Sequence, residues 1–133
     1  MLDTDFRRTY FLFMSSEPIP PVSVQTEKDV RIVEFTNNKI LDEGNIEEIR
    51  LTLNALIDEV DQPKMLLDFS NVDHLSSAAL GMLINCNNRV KQKNGQLRLS
   101  NIKDQILEVF KITKLNRLLH ILPTRQEALA SFV

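Results

Sequence analysis

Hydrophobic and polar residues begin to alternate at Val22, and the pattern predicts a β-hairpin. Residues 22–26 alternate, residues 27–29 are polar, and residues 30–35 are again rich in β-branched and aromatic side chains. Two short runs of this kind around a polar turn are typical of antiparallel strands. We therefore expect the regular part of the chain to open with two paired strands.

The segment after the hairpin carries apolar residues at spacings of three and four, which predicts an amphipathic helix. Asn45 is the expected N-cap, with Glu48 as its capping partner, and Pro63 marks the end of the helix. The expected buried face consists of Ile46, Ile49, Leu53, Leu56, Ile57 and Val60.

A nearly continuous apolar run at residues 64–69 predicts a strand that is buried on both faces. A second helix must begin at Ser76 or Ser77, because its apolar stripe starts two or three residues later. We expect this helix to stop near Gly95, where basic residues precede a glycine. Its stripe consists of Ala79, Leu83, Cys86 and Val90.

The last third of the chain predicts a further strand and helix, followed by a short tail. Residues 96–100 alternate as a strand, and Asn101 with Asp104 is the expected cap of a third helix. Residues 118–122 indicate a short strand, and Thr124 the start of a last helix. The third helix is expected to carry Ile106, Leu107, Val109, Phe110 and Leu115, and the last one Ala128, Leu129 and Phe132.

The order of these elements predicts an α/β fold for residues 22–133. Strands that alternate with helices of this length form a mixed, mainly parallel sheet, here of four to five strands with about four helices packed against it. Residues 1–21 form a separate aromatic-rich extension that ends in several prolines. We interpret it as a strand or arm packed on the domain, or as an arm that docks on a partner or exchanges between the copies of a homodimer.

Composition narrows the classes of function. The 133 residues suit one domain, and 16 basic against 18 acidic residues give a net charge of −2, which disfavours nucleic acid as a partner. One cysteine excludes an internal disulfide, and His74 and His120 are too far apart for a zinc motif, so no metal or cofactor is expected. No apolar run is long enough for insertion into a membrane, and a reducing cytoplasm is the simplest compartment.

Two adjacent serines at the expected start of the second helix are the strongest candidates for chemistry. A serine there can cap the helix, or it can carry a phosphate whose charge faces the free N–H groups and the positive end of the helix dipole. The local pattern leaves both roles open for Ser76 and Ser77. No Ser-His-Asp order, carboxylate pair or glycine-rich phosphate loop points to an enzyme.

The motifs around these serines resemble the STAS domain of anti-sigma factor antagonists, which are bacterial partner-switching proteins. Leu67-Asp68-Phe69-Ser70 is similar to the family's strand end, and Ser76-Ser77-Ala78-Ala79-Leu80-Gly81 occupies the place of its switch motif. The resemblance covers residues 22–133. Further matches are residues 40–42, residues 93–97, Asn101 and residues 112–118.

The resemblance implies a regulator and not an enzyme. It places the phosphorylated serine at Ser77, with Ser76 as the alternative, and implies binding to an anti-sigma factor that is also a serine kinase. Phosphorylation would dissociate that complex, and a phosphatase would be a further partner. The residues expected to contact the partner are Asp42, His74, Leu75, Ser76, Ala78, Leu80 and Met82.

The chain departs from the family pattern at four positions. Ser76 replaces an acidic residue, Ala78 replaces a hydroxyl residue, and Ala79 replaces a glycine. Lys114 also replaces a glycine that is common after the third helix. These departures leave a second interpretation open, namely a STAS interaction or scaffold module that is not phosphorylated. Such a module would be of the stressosome type or a subunit of a lipid-transport ATPase complex.

Overall fold

A computed structural model describes residues 20–133, which form seven strands and four α-helices. The strands are β1 (Val22–Glu27), β2 (Val30–Phe35), β3 (Lys39–Ile40), β4 (Lys64–Asp68), β5 (His74–Leu75), β6 (Gln96–Ser100) and β7 (Ile121–Leu122). The helices are α1 (Glu43–Asp58), α2 (Ser77–Gln92), α3 (Asp104–Ile112) and α4 (Arg125–Ala130), with a 3₁₀ turn at Leu115–Arg117.

Five of the strands form one mixed sheet in the order β1-β2-β4-β6-β7. The β1–β2 hairpin is antiparallel, and the pairs β2–β4, β4–β6 and β6–β7 are parallel. The remaining strands, β3 and β5, form a separate parallel pair. The expected α/β fold with a mainly parallel sheet is confirmed, whereas the small β3–β5 pair was not predicted.

The sheet separates two apolar cores. On one face, α1, α2 and α3 cover the larger core, which includes Met65 and Leu67 of β4. On the other face, α4 covers a smaller core around Leu66 of the same strand. The prediction that this central strand is buried on both faces is confirmed, because successive side chains of a strand point to opposite sides of a sheet.

Helix α1 begins and ends earlier than its sequence pattern predicts. Asp42, and not Asn45, is the N-cap, and its carboxylate accepts a hydrogen bond from the backbone N–H of Gly44 at 3.4 Å. The helix ends at Asp58, so Val60 lies beyond it and is 39% exposed. The predicted face is otherwise confirmed, since Ile46, Ile49, Leu53 and Ile57 are all buried.

The predicted cap of α3 is also wrong. The N-cap position is Lys103, and its side chain makes no capping hydrogen bond. Asn101 instead takes a left-handed backbone conformation, with φ of 57°, and its side-chain amide donates to the carboxylate of Asp68. Asn101 therefore binds the last residue of β4 and does not cap the helix.

The elements after α3 are shorter than expected. Leu115 lies in the 3₁₀ turn and not in α3, and the predicted strand at residues 118–122 is reduced to Ile121–Leu122. Thr124 caps α4, as predicted, by accepting a hydrogen bond from the backbone N–H of Glu127 at 3.1 Å.

The predicted aromatic extension lies outside the described residues except for Pro20 and Pro21. Among residues 20–133, no helix has the length and apolar character needed to cross a membrane.

Candidate functional site: paired helix starts beside an apolar groove

The short β3–β5 pair places two helix starts next to each other. Ile40 of β3 lies opposite Leu75 of β5, and the carbonyl of Ile40 accepts a hydrogen bond from the N–H of Ser76 at 3.0 Å. Helix α1 begins two residues after Ile40 with its cap Asp42, and α2 begins after the cap Ser76. The parallel pairing thus brings the caps of α1 and α2 to the same end of the molecule.

The loop before α2 is held by backbone and ionic contacts. The carbonyl of Asn38 accepts hydrogen bonds from the N–H groups of Asp73 and His74, at 2.7 and 3.2 Å. The carboxylate of Asp73 pairs with the ammonium of Lys103. This pairing keeps the pKa of Asp73 below its ordinary value of 3.8, because it stabilises the charged carboxylate. The start of α2 is therefore anchored on both β3 and the α3 side of the fold.

The two candidate serines have different environments. Ser76 has an extended backbone, and its hydroxyl accepts a hydrogen bond from the N–H of Ala79 at 3.1 Å. Ser77 is the first residue of α2 and is exposed, and its hydroxyl makes no hydrogen bond to the residues that the structure describes. Of the two roles suggested by the sequence, the cap belongs to Ser76, and Ser77 presents its hydroxyl to solvent.

The first turn of α2 carries no acidic side chain, so no carboxylate of this turn offsets its positive dipole end. Ala79, at the position of the family's glycine, lies inside the helix and is fully buried. An alanine suits this position because helical backbone does not require the conformational freedom of glycine. The local fold at the start of α2 is therefore compatible with an alanine at residue 79.

Six of the seven residues expected to contact a partner are exposed or partly buried around the starts of α1 and α2. Asp42, His74 and Ala78 are exposed, and Leu75, Ser76 and Leu80 are partly buried. Met82 is the exception, because its side chain is only 4% exposed and belongs to the larger core. The expectation that Met82 contributes to a docking patch is wrong. Helix α1 packs against α2 and buries a broader arc of α2 than the sequence stripe suggests.

An apolar groove lies beside the start of α2, and sequence reasoning did not find it. It has a volume of about 310 Å³, and its apolar lining residues are Leu41, Leu75, Ile106 and Val109, with Asp73, His74 and Gln105 as the polar ones. Leu41 is 50% exposed, and Val109, which was expected on the apolar face of α3, is 39% exposed. In the sequence, Leu41 and Val109 are only two apolar residues far apart in the chain, and nothing in their local pattern indicates that they line the same groove.

The described residues offer neither a metal site nor a reactive cysteine. Residues 20–133 contain no cluster of three or more His, Cys, Asp or Glu side chains that could hold a metal ion. Cys86 is buried, and burial raises the pKa of its thiol to about 12, so it is almost entirely protonated at neutral pH. Its predicted role as a small core residue is confirmed.

Comparison with known proteins identifies the family. The sequence model of the STAS domain matches residues 22–128, and the chain therefore belongs to the STAS domain family. A relative from Bordetella bronchiseptica, BtrV, is 27% identical over 93 residues, which are 70% of this chain and 79% of BtrV. Its name assigns it provisionally to the anti-sigma factor antagonists.

Solved structures share the fold at lower sequence identity. An anti-sigma factor antagonist (STAS) domain protein from Planctomyces limnophilus has a TM-score of 0.74 and 23% identity, over 83% of this chain and 96% of that one. The phosphorylated form of the Bacillus cell fate determinant SpoIIAA has a TM-score of 0.62 and 16% identity, over 82% of this chain and 96% of that one. These similarities concern the architecture of the domain.

Proposed function

We propose that this protein is an anti-sigma factor antagonist that binds an anti-sigma serine kinase through the start of α2 and is released when Ser77 is phosphorylated. The proposal rests on one observation above all: Ser77 is exposed at the first position of α2 while its neighbour Ser76 supplies the cap. A kinase can therefore modify Ser77 without removing the hydrogen bond that starts the helix.

The family membership and the relatives support this proposal. BtrV carries the name of an anti-sigma factor antagonist, and a phosphorylated form is known for SpoIIAA, which has the same fold. Ser77 occupies the place of the acceptor in the family's switch motif. In this proposal the protein is the substrate and partner of a kinase and performs no catalysis itself.

The switch follows from the charge that phosphorylation adds. Attack of Ser77 Oγ on the γ-phosphorus of ATP breaks the bond to ADP, releases the hydroxyl proton, and leaves a group with a charge near −2. The free N–H groups at the start of α2 tolerate this charge in water. A partner surface that packs on the same residues would have to desolvate it, which is costly without a matching cation.

The decisive experiment uses the candidate anti-sigma kinase, ATP and two neighbouring serine variants. Wild-type protein should form a complex that dissociates on addition of ATP and gains about 80 Da on the peptide that contains Ser77. Ser77→Ala should bind equally well but stay bound in ATP. Ser76→Ala is the matched control, because it removes a hydroxyl one residue away and should still be phosphorylated and released.

A charge-mimicking variant tests the interface independently of any kinase activity. Ser77→Asp should retain the fold and bind the partner more weakly than Ser77→Ala, as measured by calorimetry. Equal affinity of these two variants would place the interface elsewhere. If Ser77→Ala is still phosphorylated and released, and Ser76→Ala is not, the acceptor is Ser76.

The departures at Ser76 and Ala78 favour one alternative function. Without the family's acidic residue and second hydroxyl, a kinase meets a less charged and less polar acceptor segment. The same surface would then act as a permanent docking site in a scaffold of the stressosome type or in a lipid-transport ATPase complex. Stable association with an ATP-binding-cassette subunit, together with an unmodified Ser77 after incubation with ATP and the candidate kinase, would support this alternative.

A further inference from the structure

Helix α3 and the edge strand β7 line a pocket that shares no residue with the apolar groove beside α2. The apolar wall of this α3–β7 pocket consists of Ile102, Leu107, Leu119, Ile121, Leu122 and Pro123. Its volume of about 590 Å³ falls within the range of about 300–1,000 Å³ that is typical of small-molecule sites. The pocket therefore has the size and the aliphatic wall that an apolar part of a small ligand requires.

The α3–β7 pocket is elongated along the helix. Asp104 is the first residue of α3 and Lys111 lies in its last turn, so about 10 Å of helix rise separates these two lining residues. Helix α3 connects two parallel strands and therefore runs opposite to β7. Pro123, which follows β7, thus lies at the Asp104 end of the pocket, and His120, which precedes β7, lies at the Lys111 end.

The two ends of the pocket carry opposite charges. Neither Lys111 nor Asp104 takes part in an ion pair among residues 20–133. Partial desolvation and the nearby guanidinium of Arg98 hold the pKa of His120 below 6.5, so its imidazole adds little positive charge at neutral pH. Lys111 is therefore the main cation at one end of the pocket, and Asp104 is the anion at the other.

We propose that the α3–β7 pocket binds a medium-chain carboxylate, with the hydrocarbon chain along the aliphatic wall and the carboxylate at Lys111. Removal of the chain from water drives binding, and the ammonium of Lys111 pairs with the head group. The side chains of Asn116 and His120, which also line the pocket, offer hydrogen bonds to the same head group. Asp104 repels an anion, so the opposite direction of the ligand is disfavoured.

The experiment titrates the full-length protein with decanoate in a calorimeter at neutral pH, below the micelle concentration. Wild-type protein should bind one decanoate saturably and should bind decyltrimethylammonium, which has the same chain and a cationic head, several-fold more weakly. Lys111→Glu should reverse this preference. Lys114→Glu is the matched control, because Lys114 is an exposed lysine of the following turn that does not line the pocket, and it should keep the wild-type preference.

A second pair of variants tests the position of the chain. Leu107→Trp should fill the pocket and weaken decanoate binding several-fold, whereas Ile112→Trp adds the same ring to a residue of α3 that is 77% exposed and lies outside the pocket. Ile112→Trp should therefore bind decanoate like the wild type. Leu107→Ser removes part of the apolar wall without added bulk and should also weaken binding, and circular dichroism shows that each variant keeps the fold.

Three results would overturn the proposal. Absence of saturable decanoate binding to the wild type would show that the pocket does not take this class of ligand. Equal affinity for the two head groups, or a preference that Lys114→Glu also reverses, would remove Lys111 from the site. Wild-type affinity in a folded Leu107→Ser or Leu107→Trp variant would place the chain elsewhere on the domain. None of these measurements involves a kinase, so they are independent of the proposed switch at Ser77.

Discussion

The hydroxyl of Ser76 accepts a hydrogen bond from the backbone N–H of Ala79, and this contact separates the roles of two neighbouring serines. A side-chain oxygen at the N-cap satisfies one of the N–H groups that lack a partner within the helix. Because Ser76 performs this function, Ser77 does not have to. A serine pair thus combines a stable helix start with an exposed hydroxyl.

Replacement of Ser76 by alanine should destabilise the domain, since the N–H of Ala79 loses its acceptor. The expected loss is about 1 kcal/mol in the free energy of unfolding, measured by urea denaturation. Ser77→Ala should change that free energy by less than about 0.5 kcal/mol, as is usual for surface substitutions. A larger effect of Ser77→Ala than of Ser76→Ala would mean that the cap is assigned to the wrong serine.

Asp68 and Arg125 form the main ionic contact between the sheet and α4. Asp68 is 1% exposed, and its carboxylate accepts a hydrogen bond from Arg125 Nε at 2.8 Å. Loss of the cation leaves a buried charge with fewer partners, so Arg125→Ala should cost on the order of 3 kcal/mol. Arg31→Ala, which breaks a more exposed pair with Glu59, should cost less than about 1 kcal/mol in the same urea experiment.

The same carboxylate should make stability depend on acidic pH. Burial alone would raise the pKa of Asp68, but the hydrogen bond from the N–H of Ser70 and the Arg125 guanidinium outweigh it and hold the pKa below 3.8. A lowered folded-state pKa stabilises the protein above the unfolded value, and the contribution is lost as pH falls through the folded one.

The measurement for this pH effect is the difference in unfolding free energy between wild type and Asp68→Asn. Other carboxylates titrate in both proteins and cancel in the difference. The difference should be constant above about pH 5 and should shrink as the pH falls below about 4. A difference that is independent of pH in this range would contradict the assigned pKa shift.

The sequence predicts the long elements well because their patterns reflect burial directly. β4 and the apolar faces of α1 and α2 follow from unbroken runs or regular spacings. The β3–β5 pair could not be predicted in this way, because strands of two residues are too short to show alternation. Yet this pair determines that the starts of α1 and α2 lie together.

The position of Ser77 at the start of α2 was predictable from the sequence, whereas the groove beside it was not. The serine follows from the helix pattern and the motif, which are local in sequence. The groove joins Leu41 and Leu75 with Val109 of α3, residues that only the tertiary fold brings together. Similarly, asparagine is a common N-cap residue, but Asn101 has a left-handed backbone with φ of 57° and its amide donates to the carboxylate of Asp68, a contact between residues that are distant in sequence.

Gly95 and Gly81 should respond in opposite ways to alanine. A Cβ at Gly95 would lie 2.3 Å from the carbonyl oxygen of Pro63, so Gly95→Ala should cost roughly 1–3 kcal/mol in the free energy of unfolding. A Cβ at Gly81, inside α2, meets nothing within 4 Å, and Gly81→Ala should stabilise by about 0.5–1 kcal/mol. Similar unfolding midpoints for the two variants in urea would contradict the close approach at Gly95.

The backbone of Lys114, where the family pattern has a glycine, should be strained, and this strain should lower the free energy of unfolding. Lys114 follows α3 with φ of 63°, a left-handed conformation that favours glycine because a Cβ is crowded there. Lys114 is exposed and takes part in no ion pair among residues 20–133, so its removal should break no ionic contact. Lys114→Gly should therefore raise the free energy of unfolding by about 0.5–1 kcal/mol.

Lys111→Gly is the matched control for this last prediction. Lys111 is an exposed lysine of the same segment, but it lies within α3, where glycine should lower the free energy of unfolding by about 1 kcal/mol. Urea denaturation of the two variants therefore separates relief of a left-handed backbone from a general effect of losing a lysine. If both variants lose stability, the backbone at Lys114 is not strained, and the family's glycine at this position must be explained by something other than conformation.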